Sequence, residues 1–487
     1  MTVIAVLWFG LFPLLCDFTY SHITRSKWVT ALILGGVTLL ASLILLLIRH
    51  MDTDWKNPSR LLCLGFFAWT ALSSAFGSMA SHADANGQLT VWIGSGRYEG
   101  LSTQLCYLAI FLGLSLQCAR PRPVLTAAAC CLTVFAVIVG LQYGDLNPLG
   151  LFPKGTSIRT NYEFQGTIGN IDMVCGYLAI VLPLLLGGFI FGGRSRASLL
   201  LLPAAAAGLL VMLLSDVQSG LIAVMGLAGL ILALGLSSPA RRSRCLTALA
   251  LIAAALSVKL LTGLPWLDGV DHVTFPYQPS LLRLAPMAAA AVLLLLAWLT
   301  RKHPGPAVPF WLVVLLGCSA VAAVLIVIAR IPMAQNGGGL YELHELLNGR
   351  PQDAYGSWRI GVWRHTLEMV REHPLFGTGP DTFYPAIRTH LAQEAATLGE
   401  NFDNPHNMFL AICSNSGVPA LLLFVSTLAA CLVRCVRRHD GFGTAMAWAI
   451  LCYAVMGFFT FSICIVTPMF WALLGMAAAP VYETANV

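Results

Sequence analysis

The chain is predicted to be an all-α, polytopic membrane helix bundle, and three observations carry that reading. Of its 487 residues 57% are hydrophobic and only 10% charged, with a mean hydropathy of +0.78; this is too little polarity to clothe a soluble domain. Apolar runs able to cross ~30 Å of hydrocarbon recur from end to end. Because lipid offers the backbone no hydrogen bonds, such runs must be helices. Lysine and arginine clusters fall on every second loop, as in a chain threaded repeatedly through a membrane.

In chain order, about fourteen spans are expected, at 3–19, 28–48, 60–78, 101–118, 124–143, 171–191, 198–214, 219–237, 245–262, 283–300, 309–329, 418–433, 444–464 and 466–480. The first lacks a basic n-region and a small-residue cleavage site, which favours a retained helix over a removed signal peptide. Clusters at Arg49/Lys56/Arg60, Arg120/Arg122, Arg194/Arg196, Arg241/Arg242/Arg244, Arg301/Lys302 and Arg434/Arg437/Arg438 place both termini in the cytoplasm. The loops at 79–100, 144–170, 263–282 and 330–417 then lie outside. Three regions follow: 1–329 with eleven spans and short loops, 330–417 as a large helical extracytoplasmic loop, and 418–487 with the C-terminal spans.

The net charge of +6 reads as a topology signal; it lacks the clustered basic face of a nucleic-acid binder. The fourteen cysteines lie in or beside apolar segments and form no CxxC or Cys/His ligand spacing. They read as packing groups, with neither a disulfide framework nor a zinc site expected.

Polar chemistry is confined to the outer loops. The first carries Ser95-Gly96-Arg97-Tyr98-Glu99-Gly100; the second carries Lys154, Arg159 and Gln165, then Gly166-Thr167-Ile168-Gly169-Asn170. Glycines there let backbone approach a ligand closely, although either arginine also suits an interfacial anchor. Ser215 to Gly220, including Gln218, reads as a polar turn, and Lys259 near its helix end can snorkel to water.

The 330–417 loop is richer. Ile360, Trp363, Leu367 and Val370 recur at helical spacing, so a helix is predicted from an N-cap at Ser357 to His373-Pro374. Arg364 and Glu368 make an i,i+4 pair on its solvated face. Arg359 sits in the first turn, against the helix dipole, where an anionic partner explains an arginine better than helix stability does. Gly377-Thr378-Gly379-Pro380-Asp381 reads as a tight reversal with Gly379 at positive φ; no strand precedes it and no Gly-Lys-Ser/Thr follows, as a phosphate loop needs.

Asn404 is predicted to cap a short helix with Pro405 at its first position and Asp403 orienting the turn. His406 then lies in the first turn, where the dipole disfavours imidazolium and leaves a neutral base. The same helix terminus offers backbone N–H groups to an anion. An interfacial histidine is the competing reading. The short helix ends at Ser416-Gly417, before Pro419 opens the next span.

Arg359 with Trp363, Pro374 to Pro380, and His406-Asn407 with Leu410 and Gly417 downstream resemble the signature of the O-antigen ligase / O-antigen polymerase superfamily. The stretches 96–100 and 166–170 and the hydropathy profile are similar too. The resemblance implies a GT-C-like membrane glycosyltransferase that moves a glycan from undecaprenyl diphosphate to an acceptor sugar, polymer or protein outside the membrane. It uses no nucleotide sugar and no cofactor. It implies that Arg359 holds the diphosphate and that His406 activates the acceptor. Many members carry an arginine in a Ser-Arg-Gly-like turn between two middle helices, where this chain reads Gln218-Ser219-Gly220. Gln218 cannot neutralise a phosphate, so Arg97 or Arg159 must complete the clamp, or activity is weaker.

No carboxylate cluster suited to Mg²⁺ stands out, since Asp381, Glu400 and Asp403 are scattered. A lipid-linked oligosaccharide flippase or other secondary transporter is the alternative. Transporters, however, show related halves with ionisable residues near the midplane, whereas polarity here gathers in one late loop.

Overall fold

The computed structural model describes the chain except residues 18, 50–55, 85, 154, 159–163, 194, 262–283, 334–337, 392–401 and 481–487. Among the described residues the regular structure is helical, apart from an isolated bridge between Ala83 and Leu89. Among the described residues ten helices are long and apolar enough to cross a membrane, and four apolar helices are shorter. In order they are α1 (Thr2–Leu14), α2 (Ile23–Arg49), α3 (Pro58–Phe76), α4 (Leu101–Ser115), α5 (Pro121–Tyr143), α6 (Ile171–Phe191), α7 (Arg196–Leu214), α8 (Gln218–Ser237), α9 (Pro239–Leu261), α10 (Ala285–Lys302) and α11 (Phe310–Arg330). Three helices of the large loop follow, α12 (Gly339–Leu347), α13 (Arg359–Glu372) and α14 (Phe383–His390). The chain closes with α15 (Met408–Arg437), α16 (Gly441–Gly457) and α17 (Thr467–Ala478). Helices α1–α11 and α15–α17 fall on the fourteen predicted spans. The chain is therefore a polytopic helical membrane protein.

The centre of the bundle is α6, apolar on all faces and almost wholly buried, packed most extensively on α16; α3 packs on α15 and α4 on α17. Lipid supplies no hydrophobic drive between helices, so small residues that admit close backbone approach do this work. A Cβ on Gly10 would stand 2.8 Å from Ala127 Cβ, and one on Gly475 2.7 Å from the Phe111 carbonyl. At the periphery α11 buries no residue, as suits a helix bathed in lipid.

Charge is segregated along the bundle. At one end the predicted basic clusters hold helix ends: Arg434 donates to the Ala479 carbonyl (3.1 Å), Arg438 to Asp440 (3.2 Å) and Arg60 to Ser115 Oγ (3.0 Å). At the other end the segments 77–84, 86–100, 164–170, 215–217, 338–391, 402–407 and 458–466 gather. Lys259, expected to snorkel, instead pairs with Asp216 in the turn before α8; a carboxylate within reach satisfies its charge without bulk water.

Helix α15 is broken where the sequence predicts. Gly417 leaves the helical region (φ 84°, ψ 169°) and Pro419 has no N–H to give. The carbonyls freed by the break are taken by the Gly377–Gly379 reversal: Thr378 N–H donates to Ser414 O (2.9 Å) and Gly379 N–H to Asn415 O (2.8 Å). In return Val418 N–H donates to Pro374 O (2.8 Å), and Ser73 of α3 donates to Asn415 O (2.9 Å). A side chain at Gly417 would strike the Leu375 carbonyl. The motif from Pro374 to Pro380 thus stitches the large loop into the broken helix.

Candidate active site

Arg97 comes from the loop before α4, and buried Asp381 organises that loop. Asp381 Oδ2 accepts from Ser95 N and Glu99 N (both 3.1 Å), and Ser95 Oγ donates to Asp381 O (2.6 Å). A Cβ on Gly94 would collide with the same carboxylate. Burial raises Asp381 to a pKa of about 6 despite those bonds. Glu99, buried beside it, accepts from Tyr107 Oη (2.6 Å) and Gln104 Nε2 (3.2 Å); burial lifts it well above the carboxylate range. The Arg97 guanidinium lies 4.1 Å from the Phe461 ring centre and its Nε donates to Asp403 (3.1 Å). The charge of Arg97 is therefore already matched.

Arg359 is the first residue of α13. Ser357 does not cap this helix: it and Trp358 both sit at positive φ (56° and 67°), a rare placement for such residues. The preceding turn caps instead, with Arg359, Ile360 and Gly361 N–H donating to Gly356, Tyr355 and Asp353 carbonyls (3.3, 3.4 and 3.2 Å). The amides are thereby spent, leaving the side chain as the group able to meet a ligand. Arg359 Nη1 reaches only Gly356 O (3.3 Å), and its buried Nε has no hydrogen-bond partner among the described residues. Burial lowers its pKa, opposed by the charges of Asp172 and Glu342.

Around His406 the structure corrects the predicted cap. Asn407 is the N-cap of α15, accepting from Phe409 N (3.0 Å) and Leu410 N (3.1 Å). Its oxygen thereby occupies amides expected to face an anion. Asn404 instead accepts from His406 N (2.9 Å) and holds the turn. Pro405 lies outside the helix, and its carbonyl accepts from Trp363 Nε1 of α13 (2.7 Å). Asp403 ties this loop to Arg97. His406 itself sits before the cap at φ 49°, with its ring edge-on to Phe461 at 5.2 Å. Its buried Nδ1 is unpartnered among the described residues.

The imidazole is held neutral, as expected, but for another reason. Its pKa falls from 6.5 to about 4, first through burial, then through the nearby charges of Arg359 and Arg97, with Asp403 opposing. The helix dipole is not needed, since His406 is outside the helix.

Two clefts hold the arginines whose charges act on the histidine, although His406 itself lines neither. One is lined by Arg97, Asp403, Gly169, Asn170 and Phe461; the other by Arg359, Ser357, Asp172, Asp216, Gln218 and Phe459. Both draw on the 458–466 loop, which an unbroken apolar reading of 444–464 concealed. Gln218 and Asp172 line the same cleft as Arg359, and neither Asp172 nor Phe461 is among the residues expected from sequence. Asp172 could have been noticed two residues after Asn170, which caps α6 by accepting from Asp172 N (2.9 Å). Arg159 and Lys154 lie outside the described residues. Arg97, Arg359, His406, Asp403, Asn404, Asn407 and Gln218 are thus drawn from four segments to one end of the bundle.

Residues 280–425 match a protein-family model described as O-Antigen ligase. The match runs from α10 through α13 and α14 to the break in α15, and so includes Arg359 and His406. No curated protein matches the chain.

Proposed function

We propose, from the match of residues 280–425 to a family model described as O-Antigen ligase, that the chain transfers a glycan from undecaprenyl diphosphate to an acceptor hydroxyl at the extracytoplasmic face of the inner membrane. Membrane glycan transfer of the ligase or polymerase type is the coarse function the family carries. Donor, side of action and residue roles are our reading. The observation that carries it is the pair of unpartnered buried polar atoms, Arg359 Nε and His406 Nδ1, with cations close enough to keep the imidazole uncharged. Buried polar groups without partners are rare in folded proteins and call for an explanation.

In this mechanism the acceptor oxygen attacks the anomeric carbon from the face opposite the diphosphate. The new C–O bond forms as the C–O bond to phosphate breaks, with inversion, and His406 takes the hydroxyl proton. Undecaprenyl diphosphate leaves carrying the bond electrons. Arg359 meets the growing phosphate charge, as preorganised cations do in other transfer sites. Arg97 reaches the same charge by exchanging its bond to Asp403 for one to phosphate. Two guanidiniums so placed supply the neutralisation that a metal would otherwise provide. A sugar, polymer or protein acceptor each presents the hydroxyl this step needs.

Reconstitution with a defined undecaprenyl diphosphate glycan tests the reading. Arg359→Ala and His406→Ala, at equal folded yield, are expected to lose transfer while wild type stays active. Normal transfer by either variant removes the role assigned to that residue. Movement of the intact donor across liposomes without transfer would favour a transporter.

A further inference from the structure

The large loop holds a second cluster that the proposed transfer does not use. His365 and Glu368 lie one turn apart on α13, and His390 ends α14. His365 Nδ1 and His390 Nε2 each lie 3.1 Å from Glu368 Oε2, and the three atoms are all within 4.8 Å of one another. The cluster stands at the rim of a small apolar core in which Val362 and Met369 of α13 meet Phe383, Ala386 and Ile387 of α14. That packing fixes the backbone from which all three side chains project. The His365 side chain is 8% exposed, His390 21% and Glu368 37%, so the cluster is sheltered on one side and open on the other.

We propose that His365, Glu368 and His390 form a structural divalent-cation site of the zinc type, with a fourth position open to water. Zinc takes nitrogen at ~2.0–2.1 Å and carboxylate oxygen at ~2.0–2.2 Å in a tetrahedron, which sets donor atoms about 3.3 Å apart. Two edges of the cluster already have nearly that length, and closing the third requires only that the imidazoles draw together. Two imidazoles with one carboxylate suit zinc, whereas calcium and magnesium prefer oxygen.

The surroundings supply the outer groups such a site uses. Glu372 Oε1 stands 3.8 Å from His390 Nδ1, the ring nitrogen away from the cluster, beyond hydrogen-bond length; drawn in on metal binding, that carboxylate would orient the ring as an outer partner does. Arg364, 3.4 Å from His365 Nε2 and 3.9 Å from Glu368, is engaged by Asp353 at 2.6 Å. A cation would clasp α13, which begins at Arg359, to the end of α14, from which the chain runs on to Asp403 and His406. The inference is independent of the transfer reaction, because it concerns binding alone.

The test uses full-length protein purified without a histidine tag, stripped with chelator and titrated with Co²⁺, whose visible d–d absorption reports tetrahedral coordination. Wild type should bind a single equivalent per chain that Zn²⁺ displaces. Glu368→Gln and His390→Gln should abolish the band, and Glu372→Gln should weaken binding about 10–100-fold. Absence of the band in wild type overturns the proposal and leaves a hydrogen-bonded clasp. So does a band unchanged in His390→Gln. Should that variant fail to fold, unchanged affinity in Glu372→Gln overturns it equally.

Discussion

At the residue scale the proposed site rests on an imidazole kept uncharged by burial and two guanidiniums. Because its folded pKa of about 4 lies below the ordinary 6.5, the His406 imidazole is uncharged throughout the neutral range, as the proposed base must be. The acid limb of kcat/KM that belongs to His406 is expected near pH 4; a limb near 6.5 would show an exposed, unperturbed ring. The unfolded chain takes up this proton first, so the histidine costs stability as pH falls from 6.5 through 4 and nothing above that window. A second prediction separates the arginines. Arg359→Ala should lower transfer by about 10²–10³-fold, as for removal of a preorganised donor, and Arg359→Lys should restore little, since an ammonium lacks the planar fork. If Arg97 serves only to tether Asp403, Asp403→Asn will match Arg97→Ala; if it also meets phosphate, Arg97→Ala will be the more damaging in a steady-state assay. His406, Asn407, Arg359 and Arg97 were legible as single residues because polar groups are scarce in this chain. The Asp403 pairing was not, since 306 positions separate it from Arg97 and no local pattern encodes such contact.

At the element scale the broken α15 decides where His406 sits. Its break is written in Gly417 and Pro419, and the Gly377–Gly379 turn is written in its glycines, so both were visible in advance. What the sequence concealed is that these two features complete one another through backbone bonds. Gly417→Ala should therefore cost about 1–3 kcal/mol, the usual range for a residue forced into such a backbone region, read as a fall in thermal unfolding temperature in detergent. An unchanged temperature would mean that the turn gives way freely. The cap of α13 was misplaced because a backbone turn, rather than Ser357, absorbs the orphan amides. The cap of α15 was misplaced because asparagine occurs at both 404 and 407 and either fits the local rule. The His365, Glu368 and His390 cluster escaped notice because one ligand comes from a separate helix.

At the scale of the whole molecule, hydropathy and basic loops made the bundle legible almost helix for helix, since lipid leaves helices as the one choice for such a chain. Only the 458–466 loop, apolar enough to pass as part of a span, was lost. The segregation of basic clusters at one end and the site at the other makes orientation testable. Alkaline phosphatase fused after residue 350 should be active in cells and after residue 440 inactive; the reverse pattern would put the site in the cytoplasm. The most direct measurement compares donor binding with single-turnover transfer in His406→Ala, using a defined undecaprenyl diphosphate glycan. The account predicts near-normal donor binding with transfer slowed ~10²–10⁴-fold, the usual contribution of a positioned base. Transfer at the wild-type rate would contradict it, as would loss of donor binding as deep as that of Arg359→Ala.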